Sequence, residues 1–243
     1  MYEMQRTVTY SQVGSGLKMD MAGIVHYLQD CTLAHSESIG KGVFHVAEHK
    51  KAWFLSSWQI EVDRFPEYKE EILVRTWPHE FKSMYGYRNM DIIGGDGRRI
   101  VSANSIWIFM DLEKMSPIKP SEEDMKGYDL EEALPMDYAP RKIKQLDEEY
   151  LVTGGSVNDT DALSGIRVRK SFLDSNHHVN NGRYVSEALD LIDGENYRKM
   201  RVDYRKAAVL GDIMFPSIYR NSEVTQIVLN DNEKKPYVLI ELS

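Results

Sequence analysis

The sequence predicts an α+β protein made of two copies of one unit, each an antiparallel sheet wrapped around a central helix. Three observations lead there. The stretch Val8–Asp30 lies over the stretch Val168–Asp190 at one constant offset without a gap, so that Ser11 meets Ser171, Asp20 meets Asn180 and Val25 meets Val185. A series of short β-like segments follows each stretch. A region of different composition separates the two halves.

The elements follow in order. The first stretch, VTYSQVGSGLKMDMAGIVHYLQD, has a β-like start, a polar loop and then an amphipathic helix. Asp20 suits the N-cap, because a short carboxylate accepts from the free N–H groups of a first turn. Ile24, Leu28 and Cys31 recur at helical spacing behind it. Strand signals follow at 53–62, 71–77, 85–93 and 100–111, where β-branched and aromatic residues alternate with polar ones. Gly94-Gly95-Asp96-Gly97 is the hairpin turn between the last two. Residues 113–165 hold Pro117, Pro120, Pro135 and Pro140, several acidic runs and Gly154-Gly155-Ser156, with weak apolar periodicity. They read as a long connector with a turn or two of helix, lying over a surface. In the second half Asn180 takes the N-cap, and Tyr184, Ala188 and Leu191 mark the helix. Strands are expected at 200–206, 212–219, 223–229 and 237–242, with Asn230-Asp231-Asn232 at a turn. The expected division is therefore a first unit over 1–112, the connector over 113–165 and a second unit over 166–243. Two such units pair most simply through a pseudo-two-fold, as subunits of a symmetric dimer do.

Composition narrows the function classes. At 243 residues with 42% hydrophobic side chains the chain can bury a sizeable core without staples. Cys31 is the single cysteine, which excludes an intramolecular disulfide and a four-cysteine zinc site. The net charge of −8, from 30 basic and 38 acidic residues, argues against nucleic acid, since a phosphate backbone selects basic proteins. The start MYEMQRTVTY has neither a basic n-region nor an apolar run, and no window suits a membrane span. The expectation is a cytoplasmic protein without a signal peptide.

The densest polar cluster is Asp174-Ser175-Asn176-His177-His178-Val179-Asn180-Asn181, in the loop that opens the second helix. One carboxylate, three amides and two imidazoles do not build a core, and loops on a rigid scaffold carry catalytic groups. A turn plus a cap accounts for Asn180 and for Asp174, but not for Asn176 and His178 as well. At the same offset the first half has Gly14, Gly16 and Lys18 in place of Asp174, Asn176 and His178. The scaffold is duplicated and the polar set is not, so one site per chain is expected, with the first half as a wall or a pocket. Elsewhere, Cys31 lies on an apolar helix side and reads as a small hydrophobe rather than a nucleophile. His45 and His49 share helical spacing without the acidic signature of a metal site. Trp53, Trp58, Trp77 and Trp107 read as core. The run Arg198-Lys199-Met200-Arg201 and the pair Arg205-Lys206 read as either a surface for an acidic partner or a guarded strand edge.

The string from Asp174 to Tyr184, DSNHHVNNGRY, resembles the D-x-N-x-H-V-N-N-x-K/R-Y motif of acyl-acyl carrier protein (acyl-ACP) thioesterases. Tyr27-Leu28-Gln29-Asp30 with His35, Trp53 with Trp58, Thr76-Trp77 and Ile106-Trp107 are similar to the first repeat of that family. Asp203-Tyr204-Arg205 with Gly211-Asp212 is similar to the second. The resemblance implies a tandem (double) hotdog fold, hydrolysis of the thioester between a fatty acyl chain and its carrier, and no cofactor or metal. Its partner would be acyl carrier protein bearing a fatty acyl-phosphopantetheine, docked on Arg198, Lys199 and Arg201, and a homodimer is part of the expectation. The implied catalytic residues are Asp174, Asn176 and His178. Asp174 acts as general base on water or attacks directly, His178 hydrogen-bonds the carbonyl, orients the water or protonates the leaving thiolate, Asn176 fixes the water or the carbonyl, and the N–H groups near Asn181 and Gly182 bind the oxyanion. One departure stands out. Where plant members carry a Glu-Cys pair after the Tyr-Arg-Arg string, this chain has Ala207-Ala208, which leaves Asp174 as the only motif carboxylate and removes a Cys-His-Asn route. An acyl-CoA thioesterase, a hotdog hydratase and a non-catalytic acyl-thioester sensor remain alternatives. The intact Asp174, Asn176 and His178 argue against the sensor.

Overall fold

The computed structural model describes residues 1–14, 16–152, 165–192 and 197–243. The Gly154-Gly155-Ser156 part of the expected connector lies outside them. The chain divides into two compact units, Met1–Ala139 and Pro140–Ser243.

Unit 1 opens with β1 (Tyr2–Thr7), then α1 (Met21–Ser38), α2 (Val43–His49), β2 (Lys51–Val62), β3 (Glu71–Lys82), β4 (Tyr85–Ile93), β5 (Arg99–Asp111), β6 (Ser116–Pro117) and α3 (Glu122–Met125). The strand order is β1-β3-β4-β5-β2, with β6 on β5. Every pairing is antiparallel. The strands expected from the sequence are all present, some a few residues longer. β1 was not foreseen: the β-like start was placed at Val8, just past its end. In that edge strand only Met4 is buried, so no apolar alternation marks it.

Helix α1 begins where Asp20 Oδ1 accepts from the Gly23 N–H at 2.7 Å. Ile24, Val25, Leu28 and Cys31 are fully buried against the sheet. Each such aliphatic side chain contributes about 1.5–3 kcal/mol. On β4, Arg88 and Met90 face the helix, bonding to His35 and Thr32. The intervening Asn89 faces the other side, where it holds the connector: its Oδ1 accepts from the Leu134 N–H and the Tyr138 hydroxyl, both at 3.0 Å. Gln59 bonds the Asp137 carbonyl and the Ala139 N–H in the same way, and the Trp77 indole donates to the Glu132 carbonyl. With both faces covered, the middle of β4 is buried at every residue rather than every second one. The single turn α3 starts with a Ser121–Asp124 capping box.

Unit 2 contains β7 (Ile166–Arg167), α4 (Asn181–Leu189), β8 (Lys199–Tyr204), β9 (Ile213–Arg220), β10 (Thr225–Asn230) and β11 (Pro236–Leu242). Its strand order, β7-β9-β10-β11-β8, repeats that of unit 1 element for element. Its connector segment is also strapped to the sheet: Asp203 accepts from the Ile143 N–H, and Gln226 bonds both Leu146 and Lys144. The duplication reaches single bonds. The bridge Val13–Met19 recurs as Leu173–Val179, and the bond from Gly14 N–H to the Lys18 carbonyl recurs from Asp174 to His178. Leu17 and His177 take the same left-handed conformation, with φ of 55° and 61°. Beyond the helices the offset shortens, because α4 ends sooner than α1. Val8 N–H on Glu70 then corresponds to Val168 N–H on Asp212. Among the described residues no helix is long and apolar enough to cross a membrane.

Candidate active site

The loop before α4 is a tight turn whose parts have separate tasks. His177 N–H donates to the Asp174 carbonyl at 3.1 Å, and Asp174 N–H to the His178 carbonyl at 2.8 Å. One carboxylate oxygen of Asp174 completes the turn, accepting from the N–H of Asn176 at 2.8 Å and of His178 at 3.2 Å. Its other oxygen meets no donor among the described residues. Asp174 and His178 are half-buried and Asn176 is exposed. Among the described residues neither the His178 ring nor the Asn176 amide is held by a side-chain hydrogen bond. A carboxylate oxygen, an imidazole and an amide are thus presented together on a loop whose backbone is fixed.

The helix start departs from expectation. Asn180 caps α4, its Oδ1 accepting from the Gly182 N–H at 2.9 Å. Gly182 therefore does not have the free N–H expected of it, because the cap takes it. The Asn181 N–H has no protein acceptor among the described residues.

Beneath the loop lies a tyrosine floor that the sequence reasoning did not assign. Tyr184 Oη accepts from the Ala208 N–H at 2.7 Å, and the Ala208 carbonyl accepts from Val179 at 2.9 Å. Tyr204 Oη donates to the Asn181 carbonyl at 2.9 Å. Tyr237 Oη donates to Asp212 Oδ2 at 3.1 Å, and the same oxygen accepts from Val209 N–H at 3.0 Å. Burial raises the pKa of Tyr184 and Tyr204. That of Tyr237 is pushed up to about 12, by burial first and then by its bond to Asp212. These phenols stay protonated and act as struts. The available signals were Tyr184 on the apolar helix side and the Asp203-Tyr204-Arg205 string, but neither indicates what a hydroxyl touches.

The other candidates separate. Ala207 is exposed and Ala208 is buried, with its backbone occupied as above. Lys18, the counterpart of His178, forms an exposed pair with Glu67 at 3.5 Å. Cys31 is fully buried, and burial pushes its thiol up to about 12. The His45 and His49 rings stack on each other, 3.9 Å apart. Among the described residues no group of three or more His, Cys, Asp or Glu could hold a metal ion. Arg198 and Lys199 are exposed at the start of β8, whereas Arg201 bonds Glu241 and the carbonyls of Pro140 and Lys142. Trp58, Trp77 and Trp107 are buried, while Trp53 is half-buried against Phe81 and Phe109.

A sheet wrapped on a helix, present twice in one chain and carrying its polar loop in the second copy alone, defines the double hotdog class. Comparison with known proteins takes the assignment further. Residues 1–128 match the acyl-ACP thioesterase N-terminal domain, and residues 156–235 match the acyl-ACP thioesterase C-terminal domain. This chain belongs to the acyl-ACP thioesterase family. It is 23% identical over 211 residues to the chloroplastic palmitoyl-acyl carrier protein thioesterase of Arabidopsis thaliana, covering 80% of this chain and 49% of that protein. The chain thus spans about half the length of such curated relatives. The structure of an acyl-ACP thioesterase from Bacteroides thetaiotaomicron superposes with a TM-score of 0.84 at 22% identity, over 99% of this chain and 96% of the other. That of the 12:0-ACP thioesterase of Umbellularia californica gives 0.83 at 14% identity, over 100% and 96%. At these identities the likeness to the two structures speaks for the fold.

Proposed function

We propose that this protein hydrolyses fatty acyl-ACP thioesters to free fatty acid and holo-ACP. The observation that carries the reading is the loop 174–181: the turn holds one oxygen of Asp174 and leaves the other oxygen, the His178 imidazole and the Asn176 amide available. A thioester carbonyl is electrophilic and its thiolate leaves readily, so the reaction needs an oxygen nucleophile and a place for the oxyanion. The free oxygen of Asp174 takes a proton from water, or attacks the carbonyl itself to give an anhydride that water then opens. His178 protonates the departing thiolate. Asn176 orients the water or the carbonyl, and the Asn181 N–H at the helix start supports the developing negative charge. With alanine at 207, no second carboxylate from the family pair shares this work.

The carrier protein is the proposed partner. The proposed docking surface is the basic run of Arg198, Lys199 and Arg201, of which Arg198 and Lys199 are exposed and Arg201 is half-buried beside Glu241. The test is release of free thiol from matched acyl-ACP and acyl-CoA donors of varied chain length. Turnover of acyl-ACP at a kcat/KM at least tenfold above acyl-CoA is expected. Preference for acyl-CoA would reassign the donor, and no release from either would overturn hydrolysis.

A further inference from the structure

Unit 2 carries three cations that the proposed chemistry does not use. Arg167, Arg169 and Lys170 are exposed just before the loop that begins at Asp174, and among the described residues none has a side-chain partner. Other cations of the unit are paired: Arg201 with Glu241, Arg205 with Asp203 and Lys206 with Asp231. Val168 is buried between Arg167 and Arg169, so these two extended residues share the outer face. The carboxylates beside them are engaged. Glu187, within electrostatic reach of Arg169, pairs with Arg183 at 2.7 Å, and Asp212 accepts from the Val209 N–H and the Tyr237 hydroxyl. A chain of net charge −8 therefore keeps an uncompensated basic cluster beside its polar loop. Like charges so close repel one another, and an anion is the ligand that relieves them.

A single turn connects the cluster to the loop. Residues 209–212 are closed by the Asp212 N–H on the Val209 carbonyl at 3.1 Å. At one end Val209 bridges His178. At the other, Gly211 N–H donates to the Val168 carbonyl at 3.2 Å, and Val168 N–H to the Asp212 carbonyl at 2.8 Å. From His178 to Val168 the backbone path is roughly 15 Å. The two residues between are apolar yet exposed, Val209 by 43% and Leu210 by 52%. Unit 1 lacks this arrangement on the same scaffold: Thr7, Thr9 and Tyr10 stand in place of the cations, and Glu67 in place of Val209. A ligand anionic at one end, weakly polar along its length and reactive at the other matches the order of these features. We propose that Arg167, Arg169 and Lys170 seat the phosphate of the phosphopantetheine arm, which runs over Val209 and Leu210 and delivers its thioester to the loop at Asp174. This seat rests on the thioester reading given above and is separate from the carrier-docking run at Arg198.

Calorimetric titration of the whole protein with phosphopantetheine and with pantetheine, which lacks the phosphate, tests this. Phosphopantetheine should bind wild type at least tenfold more tightly at low salt, and the ratio should shrink in 0.5 M sodium chloride, about 4 Å of Debye length. Combining Arg167→Gln, Arg169→Gln and Lys170→Gln should bring the ratio below twofold. The control pair Lys234→Gln and Lys235→Gln, on an exposed turn of the same unit, should leave the ratio as in wild type. Equal affinity for the two compounds in wild type, or no detectable binding of phosphopantetheine, would overturn the proposal without any variant. So would a triple variant that is folded by circular dichroism and keeps the wild-type ratio, or a control pair that loses as much as the triple variant. The titration needs no turnover. A protein that discriminates through the three cations but releases no thiol would keep the seat and lose the hydrolysis reading, and one that releases thiol without discriminating would do the reverse.

Discussion

Asp174 divides its two oxygens between structure and chemistry, and substitutions can separate them. Asparagine retains an oxygen for the N–H groups of Asn176 and His178, so Asp174→Asn should stay within about 1 kcal/mol of wild-type stability in a urea titration. It should still lose at least as much kcat as His178→Ala, for which roughly 10²–10⁴ is expected of a positioned acid–base group. An Asp174→Asn protein with near-normal turnover would make the residue a turn former only. Cys31 is predicted to be inert: with its thiol at about 12 and its side chain fully buried, native protein should not react with a thiol reagent at pH 8, whereas urea-unfolded protein should. Fast labelling of the native state would contradict the burial. His35 gives a pH signature. Its folded pKa of about 4 lies below the value of about 6.5 in an unfolded chain, so the unfolded state binds the extra proton between the two. Above that window His35 has no effect on the pH dependence of stability. As pH falls from about 6.5 to 4 it should remove up to about 3 kcal/mol. His35→Gln should flatten the urea-midpoint profile over that interval, and an unchanged profile would refute the assignment.

At the scale of the element, the connector shows how polar residues can be structural inside a sheet protein. Residues 132–139 lie on the face of the unit 1 sheet away from α1 because Asn89, Gln59 and Trp77 satisfy their backbone groups, as Asp203 and Gln226 do for the segment after Pro140 in unit 2. Asn89→Ala would strand the Leu134 N–H in a buried setting. It should cost about 2 kcal/mol or more and open residues 132–139 to limited proteolysis. The control Glu123→Ala on the exposed turn α3 should change stability by no more than about 0.5 kcal/mol. Equal behaviour of the two would mean that the straps carry no energy. The acidic, proline-rich composition of 113–165 indicated a connector over a surface. The amides that hold it were invisible, since Asn89 and Gln226 sit within strand patterns where a polar residue ordinarily reads as solvent-facing.

For the whole molecule, the duplicated scaffold with one functional loop makes a paired prediction. Lys18 and His178 occupy equivalent positions, the first in an exposed ion pair and the second on the polar loop. Lys18→Ala should change kcat by less than about threefold, in keeping with an exposed pair worth 0–1 kcal/mol, while His178→Ala suffers the loss given above. Equal losses would refute the single-site arrangement. By itself the sequence determined the α+β class, the tandem repeat, eight of the strands, both helix caps and the polar loop. All of these rest on local signals: period-two or helical apolar spacing, short polar caps, and a cluster too polar to be core. Tertiary structure alone decided the rest. It placed the edge strand Tyr2–Thr7, whose pairing with β3 supplies what its own pattern lacks. It gave the Gly182 N–H to Asn180, set three tyrosines as struts beneath the loop, and buried Arg88 without an acid. Those outcomes depend on which hydrogen-bonding groups meet across distant strands, and a side chain's type and spacing do not carry that information.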